Sequence, residues 1–395
     1  MRGSWGALAL LSGQSFFMMS LPLCVPPLLG AIKGEMGLSY GQAGFLVSAP
    51  ILMLGVFALP GGLLADRLGP RRAVGLAVSI MVVGSFLRGV AGSYLSLLIY
   101  TLIFGSGIGL AFPSMPKAVR GWFPREMLGR ATSLYTISMA FGAALGLALT
   151  RAFFLPLTGS WQGSFFLWSA MGALPAVLWW FLAEERSSEG EKEGVEPAGG
   201  IGSPSSRMKV WRSGRVWLAA WLFYVTSVVF YTITGWFPIY WSGRGMSPAW
   251  ADLITSLVPL TGLISIFAVP MLSDRVGLRK PFLLSAFALM GGATLAVPFS
   301  SLGMGLPLAI ALGLGQHAGW VLCLTLSAEI VAPEHVGRAS GLIFFIGYLG
   351  GLAGPWLAGI LRDATGSFHA GFLFVVANCI LACILVILLP ETGPA

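Results

Sequence analysis

The sequence GLLADRLGPRR occupies residues 62–72, and a similar sequence, MLSDRVGLRK, occupies residues 271–280. The acids of the two stretches, Asp66 and Asp274, are separated by 208 residues. At that separation, an acid, a turn glycine and three cations recur in register. The matched pairs beyond the acids are Leu64 and Leu272, Arg67 and Arg275, Gly69 and Gly277, Arg71 and Arg279, and Arg72 and Lys280. The chain therefore contains two copies of one unit.

The repeat extends well beyond these two loops. The same separation pairs Glu126, Gly129, Arg130 and Ala131 with Glu334, Gly337, Arg338 and Ala339, and Gly142 and Gly146 with Gly350 and Gly354. A register of this length is not expected by chance. In a strongly apolar chain, an internal repeat points to a transporter whose binding site lies at the interface of the two halves.

The composition requires lipid as solvent. Of the residues, 56% are hydrophobic and 10% are charged, and the mean hydropathy is +0.85, far from the balance of an ordinary soluble domain. A helix needs roughly 20 apolar residues to cross a bilayer. About twelve such stretches occur, six in each copy, starting near residues 5, 42, 73, 94, 131, 163, 215, 249, 281, 305, 340 and 371.

These stretches are helices rather than strands of a β-barrel. Barrel strands alternate apolar and polar residues over about ten positions, whereas Ala73–Val90 and Phe372–Leu389 are predominantly apolar runs with no such alternation. The sequence therefore predicts an all-α polytopic membrane protein with twelve transmembrane helices in two pseudo-symmetric six-helix bundles. We place the first bundle at residues 1–183 and the second at residues 215–395. Residues 184–214, rich in Glu, Gly and Ser, form the cytoplasmic linker.

Orientation follows from the cations. With a cytoplasmic N-terminus, 18 of the 23 lysines and arginines lie in inner loops or the tail, as the positive-inside rule requires. Both termini are then cytoplasmic. The net charge of +8 lies in these loops and indicates no nucleic-acid partner. The single asparagine, Asn378, begins no glycosylation sequon, which fits the plasma membrane of a bacterium or archaeon.

The first loop is similar to the signature motif Gly-x-Leu-x-Asp-Arg-x-Gly-Arg-Arg of the major facilitator superfamily, with Pro70 in place of one cation. The resemblance covers essentially the whole chain. It implies twelve helices in two bundles that rock to give alternating access. It also implies a cytoplasmic gate network that stabilises the outward-open state. The residues of that network would be Asp66, Arg67, Arg71, Arg72, Glu126, Arg130, Asp274, Arg275, Arg279, Lys280, Glu334 and Arg338. The alternative is a topology signal with incidental surface ion pairs worth little.

His317 is the leading candidate for a functional side chain. At the 208-residue separation, Gly105, Gly107 and Gly109 align with Gly313, Gly315 and His317, so an imidazole replaces a glycine within an apolar span. Ionisable groups inside a membrane are costly and usually face a cavity. His317 could carry a proton or bind substrate, or it could be a satisfied interhelical histidine.

Further candidates follow the same argument. For substrate binding they are His317, Gln316, Gln14, Tyr224, Tyr231, Arg88, Arg151 and Lys117. For proton coupling they are His317, Asp252 and Glu329. Asp252, one turn into its span, could instead compensate the helix dipole, and cations at span ends commonly extend to the interface.

A finer resemblance concerns the substrate. Residues 112–124 and 129–132 look most like the cyanate-permease and monocarboxylate-like anion carriers of the superfamily. The fifth span lacks the Gly-Pro pair of drug/proton antiporters, since residues 141–146 read FGAALG. The four cysteines have no metal spacing, and no nucleophile, metal or phosphate-loop motif indicates an enzyme.

We therefore predict a monomeric secondary active transporter that moves a small anionic or polar organic solute by proton symport. No cofactor is expected, and the proton gradient supplies the driving force. Two alternatives are proton-coupled efflux of drugs or metabolites, and a transporter-like sensor without turnover.

Overall fold

The structure is a computed structural model of the chain, and it describes residues 2–183, 212–331, 335–389 and 391–392. Most of the predicted linker and Glu334 of the predicted gate network lie outside the described residues. Within the described ranges the regular structure is helical, and no strand occurs.

Among the described residues, twelve helices are long and apolar enough to cross a membrane, which confirms the predicted fold class. Spans 1 to 6 are Arg2–Leu23 with Val25–Met36, Tyr40–Leu68, Pro70–Arg88, Tyr94–Trp122, Arg125–Leu149 with the π-helical turn Thr150–Phe154 and Leu155–Thr158, and Trp161–Leu182. Spans 7 to 12 are Gly214–Gly243, Pro248–Val276, Lys280–Ala296 with the 3₁₀ turn Val297–Phe299, the 3₁₀ turn Leu302–Met304 with Gly305–Glu329, Val336–Thr365, and His369–Leu388.

Local sequence explains where the helices end. Gly69 and Gly277, the matched glycines of the two loops, have φ angles of +83° and +71°. A side chain is strained in this left-handed region, so the repeated glycine ends spans 2 and 8 and lets the chain turn. Span 4 begins at a capping box, in which Ser93 and Ser96 each accept from the other's backbone N–H.

The described helices form two compact units. One comprises Met1–Leu38 and Ala49–Glu196, and the other comprises Ser39–Ser48 and Pro197–Ala395. Residues Ser39–Ser48, at the start of span 2, belong to the second unit. The sequence does not predict this assignment.

Each unit has the same internal packing. In the first, span 1 packs on span 5 and span 3 on spans 4 and 6. In the second, span 7 packs on span 11 and span 9 on spans 10 and 12. These pairs correspond when six is added to each span number, so the two copies fold alike.

The agreement extends to single contacts. A Cβ on Gly105 of span 4 would lie 2.7 Å from Cα of Pro50, and a Cβ on Gly313 of span 10 would lie 3.1 Å from Cα of Val258. Both partners are separated by the same 208 residues as the two glycines. Glycine is required here because the helix backbones touch. The repeat seen in the sequence is thus a repeat of helix contacts.

Candidate functional site

Lys117 of span 4 binds the first copy of the charged loop through two contacts. Its Nζ lies 2.6 Å from Oδ1 of Asp66 and donates to the carbonyl oxygen of Gly62 at 3.0 Å. Arg71 connects the loop to span 6, because its Nη2 donates to the carbonyl oxygen of Trp180 at 2.8 Å. The predicted substrate ligand Lys117 therefore belongs to the loop network.

The second copy uses an arginine from the loop itself. Nη1 of Arg279 lies 2.6 Å from Oδ1 of Asp274, and Nη2 lies 2.8 Å from Oε1 of Glu329 on span 10. Partial burial opposes the charge of Arg279, but the hydrogen bonds to Glu329 and Asp274 raise its pKa above the ordinary value. Glu329, a candidate for proton coupling, is thus held by the charged loop.

The C-terminal residues contribute to this second network. The Oε1 atom of Glu391 accepts from the backbone N–H of Arg279 at 2.6 Å, at the N-terminus of span 9, where a negative charge is favourable. Thr392 donates to Oε2 of Glu329 at 3.0 Å. Sequence reasoning missed Glu391 and Thr392 because nothing in their local pattern indicates partners 112 and 63 residues away.

The other predicted gate residues lie mainly at the surface. Glu126 is exposed at the start of span 5, whereas Arg338 in span 11 is half-buried. The exposed cations of the loops and of span 5 are Arg67, Arg72, Arg130 and Arg275, and Lys280 is half-buried. Their part in a gate remains a prediction.

Arg88 is wholly enclosed in the first unit. Its Nη2 donates to the carbonyl oxygen of Leu21 at 3.1 Å and to Oγ of Ser85 at 2.8 Å. The guanidinium carbon lies 4.2 Å and 4.7 Å from the ring centroids of Phe104 and Phe165, a cation–π arrangement. The side chain is 0% exposed, so a solute cannot reach it in this conformation.

Arg151 also binds the backbone of span 1. Its Nε donates to the carbonyl oxygen of Pro27 at 2.7 Å, and its Nη2 contacts the same oxygen. Cys24 separates the two helices of span 1, so Arg88 and Arg151 bind carbonyl groups on either side of the break. Unlike Arg88, Arg151 is only half-buried.

Gln14 is the third candidate in the first unit. It is 0% exposed, and its amide nitrogen and oxygen have no hydrogen-bond partner among the described residues. An unpaired buried amide costs free energy, so this position is not explained by packing alone.

His317 in the second unit is half-buried. Its Nδ1 lies 3.1 Å from the carbonyl oxygen of Gly313, and because a carbonyl only accepts, Nδ1 carries the proton of this bond. The Phe230 ring of span 7 meets the imidazole edge to face, with centroids 5.9 Å apart. This hydrogen bond uses Nδ1 and leaves Nε2 outside the contact with Gly313.

Four other candidates of the second unit lie in spans 7, 8 and 10. Gln316 is 4% exposed, and its Oε1 has no hydrogen-bond partner among the residues described. Asp252 in span 8 is 0% exposed. The ring of Tyr224 stacks on that of Trp221, with the ring centroids 4.8 Å apart. Tyr231 is half-buried beside Phe230 in span 7.

The candidates thus fall into two sets. The first unit contains Gln14, Arg88, Arg151 and Lys117, and the second contains Tyr224, Tyr231, Asp252, Gln316, His317 and Glu329. Among the described residues, no group of three or more His, Cys, Asp or Glu side chains could hold a metal ion.

Comparison with known proteins identifies the family. The model of the Major Facilitator Superfamily matches residues 7–271 and 243–395. The chain belongs to the Major Facilitator Superfamily. It is therefore a membrane transporter, as the loop motif and the repeat predict.

Individual relatives extend this result. The chain is 26% identical to the hexuronate transporter of Bacillus subtilis, over 90% of this chain and 87% of that protein. It is 24% identical to the cyanate transport protein CynX of Escherichia coli, over 94% and 93% of the two chains. The crystal structure of a bacterial homologue of the human lysosomal transporter Spinster has the same fold, with a TM-score of 0.83, 17% identity and coverage of 98% and 96%.

Proposed function

We propose that this protein transports a small organic anion across the plasma membrane by proton symport, with both termini in the cytoplasm. The observation that carries the proposal is the likeness to transporters named for hexuronate and cyanate, which spans nine-tenths or more of the chain. Both solutes are small anions.

The side chains within the spans fit an anionic solute. Arg151 and His317 are half-buried; the guanidinium of Arg151 carries N–H donors, and His317 gains an Nε2–H donor when it is protonated, and such donors bind a carboxylate. Of the two acids that the sequence offers for proton coupling besides His317, Asp252 is completely buried and Glu329 is paired with Arg279.

Proton coupling needs a group that can gain and lose a proton during transport. An imidazole has two ring nitrogens that can each hold a proton, and in His317 the hydrogen bond to Gly313 occupies Nδ1, which leaves Nε2 to take a second. Binding of an anion beside this ring favours the imidazolium by charge attraction. Proton and anion would then bind together, and both would be released when the anion leaves.

Ligand-induced stabilisation of the purified protein tests the substrate class. D-Glucuronate and D-glucose form a matched pair, because they differ in the carboxylate, and cyanate is a second anion. A ligand that binds only the folded protein raises the free energy of unfolding by about 2.7 kcal/mol at a hundred times its Kd. We expect a higher Tm with D-glucuronate or cyanate and no change with D-glucose.

Tetraphenylphosphonium, a bulky amphipathic cation, is the contrasting probe. Stabilisation by this cation and by neither anion would contradict the proposal and favour efflux of amphipathic compounds. Equal stabilisation by D-glucuronate and D-glucose would contradict recognition of the negative charge.

A further inference from the structure

One helix contact differs between the two copies in a complementary way. In the first unit, Gly109 of span 4 faces span 2, and a Cβ at this glycine would lie 3.2 Å from Cα of Leu54. The residues that correspond in the second unit are His317 and Gly262. The large residue and the glycine have exchanged helices.

The contact in the second unit depends on this exchange. A Cβ built on Gly262 of span 8 would overlap Nδ1, Cγ and Cε1 of the His317 ring. No other residue type leaves this space, because every side chain begins with a Cβ. The nearby contact of Gly313 with Val258 keeps the two helices as close as their counterparts in the first unit.

The surroundings of His317 fix the orientation of its ring. Gly262 leaves room for the ring at one side, Phe230 meets it edge to face, and the carbonyl oxygen of Gly313 accepts from Nδ1. A histidine in this seat has one defined tautomer, with Nε2 as the ring nitrogen left for another partner.

We propose that Gly262 is a positioning residue: it leaves the space in which the His317 ring is held with Nδ1 donating to the carbonyl oxygen of Gly313. In this orientation Nε2 binds the carboxylate of the transported anion. This inference rests on the proposed function and adds the residue pair that recognises the solute. When Nε2 is protonated, its N–H donates to a carboxylate oxygen. The contacts with Gly262, Phe230 and Gly313 prevent the ring from rotating Nδ1 toward the solute.

The arrangement of the first unit supplies the decisive variant. The double substitution Gly262→Leu with His317→Gly gives these two positions the leucine and glycine of the first unit, and so removes the imidazole together with the overlap that a side chain at residue 262 would make with it. Gly262→Leu alone overfills the contact, and His317→Gly alone leaves a cavity. We expect the double variant to have a higher Tm than either single variant.

Binding is measured on the same purified proteins. With D-glucuronate as the probe, the double variant is expected to lose roughly tenfold to a hundredfold in affinity, because a hydrogen bond to the charged solute is lost. His317→Gln and His317→Asn are the matched pair. The Gln amide reaches the position of Nε2 and should retain part of the affinity, whereas the Asn amide reaches only that of Nδ1 and should not.

The outcomes separate the two proposals. A double variant less stable than both single variants would contradict the claim that Gly262 provides the space for the His317 ring. A stable double variant with native affinity for D-glucuronate would overturn the role of His317. Failure of the native protein to bind D-glucuronate, cyanate or any other small anion would overturn the proposed function, while the comparison of Tm values would still decide whether Gly262 seats His317.

Discussion

Arg88 donates a hydrogen bond from its Nη2 atom to the carbonyl oxygen of Leu21 at 3.1 Å. Span 1 is interrupted just after this residue, because Pro26 and Pro27 have no backbone N–H and cannot continue the helical hydrogen bonds past Cys24. The carbonyls that lose their helical donors are those of Pro22 and Leu23, and Arg88 binds the neighbouring carbonyl of Leu21, which also accepts from Cys24 Sγ at 3.2 Å. Arg88 therefore binds the end of the first helix of span 1, next to the break.

Replacement of Arg88 by alanine should destabilise the protein. The change removes the donors to Leu21 and Ser85 and opens a cavity between Phe104 and Phe165, and together these should lower the free energy of unfolding by about 3–5 kcal/mol. The apparent Tm in detergent measures this loss. Full stability together with lost anion binding would show that Arg88 is a substrate ligand after all.

The glycines that pack on spans 1 and 7 should tolerate no side chain. A Cβ on Gly142 would overlap the carbonyl oxygen of Phe16, and a Cβ on Gly350 would overlap that of Tyr224. We expect Gly142→Ala and Gly350→Ala each to lower the free energy of unfolding by about 1–3 kcal/mol, as measured by thermal unfolding.

Each of these variants has a matched control in its own span. A Cβ on Gly129 of span 5 or on Gly341 of span 11 meets nothing within 4 Å. Alanine there should raise stability by about 0.4–1 kcal/mol, because alanine restricts the unfolded chain. Similar losses in all four variants would contradict the close backbone contacts.

The two loop networks should differ in energy. The side chain of Arg279 is 6% exposed and bridges two carboxylates, whereas Lys117 is 33% exposed and pairs with Asp66, which is 50% exposed. Loss of a buried bridging cation costs roughly 3 kcal/mol, and an exposed pair contributes about 0–1 kcal/mol. Arg279→Ala should therefore lower Tm clearly more than Lys117→Ala.

A conservative substitution refines this comparison. Arg279→Lys keeps the charge but has one ammonium group, which cannot reach both carboxylates in the geometry of a guanidinium. It should recover less than half of the loss seen in Arg279→Ala. Complete recovery would show that only the charge at this position matters.

Much of this architecture was readable in the sequence. The α-helices of spans 4 and 10 begin at Tyr94 and Gly305, as the apolar runs predict, because composition alone reveals a membrane helix. The apolar run of span 5 predicts a start near residue 131, whereas the helix begins at Arg125. The first turn of this helix is charged, so hydropathy does not reveal it.

The candidate site was less readable. The register of the repeat singled out His317, because an imidazole replaced a glycine. Sequence reasoning missed Gly262, because a glycine in a glycine-rich apolar span cannot be singled out until the residue that it contacts on the neighbouring helix is known. For Glu329 and Lys117 the sequence shows the charge but not the ion partners, so their pairing with Arg279 and Asp66 is visible only in the structure.

Asp363 stabilises the start of span 2 within the second unit. Its Oδ1 accepts from the backbone N–H of Tyr40 at 2.9 Å, and its Oδ2 accepts from that of Gly41 at 2.7 Å. A carboxylate at a helix N-terminus contributes about 1 kcal/mol or more. Asp363→Ala should therefore speed hydrogen exchange of the Tyr40 and Gly41 amides by roughly tenfold.

Asp363→Asn is the control for charge. Its amide oxygen still accepts one hydrogen bond, so exchange at Tyr40 and Gly41 should be intermediate between the native protein and the alanine variant. Unchanged exchange in Asp363→Ala would show that this carboxylate does not stabilise the first turn of span 2.

The most direct test of organic-anion symport is uptake of labelled D-glucuronate and cyanate into liposomes that contain the purified protein, with and without an imposed inward proton gradient. The account predicts that the gradient drives accumulation of one of these anions, and that His317→Asn abolishes this accumulation while His317→Gln retains part of it. Uptake that ignores the proton gradient, or that proceeds equally in the native protein and in His317→Asn, would contradict it.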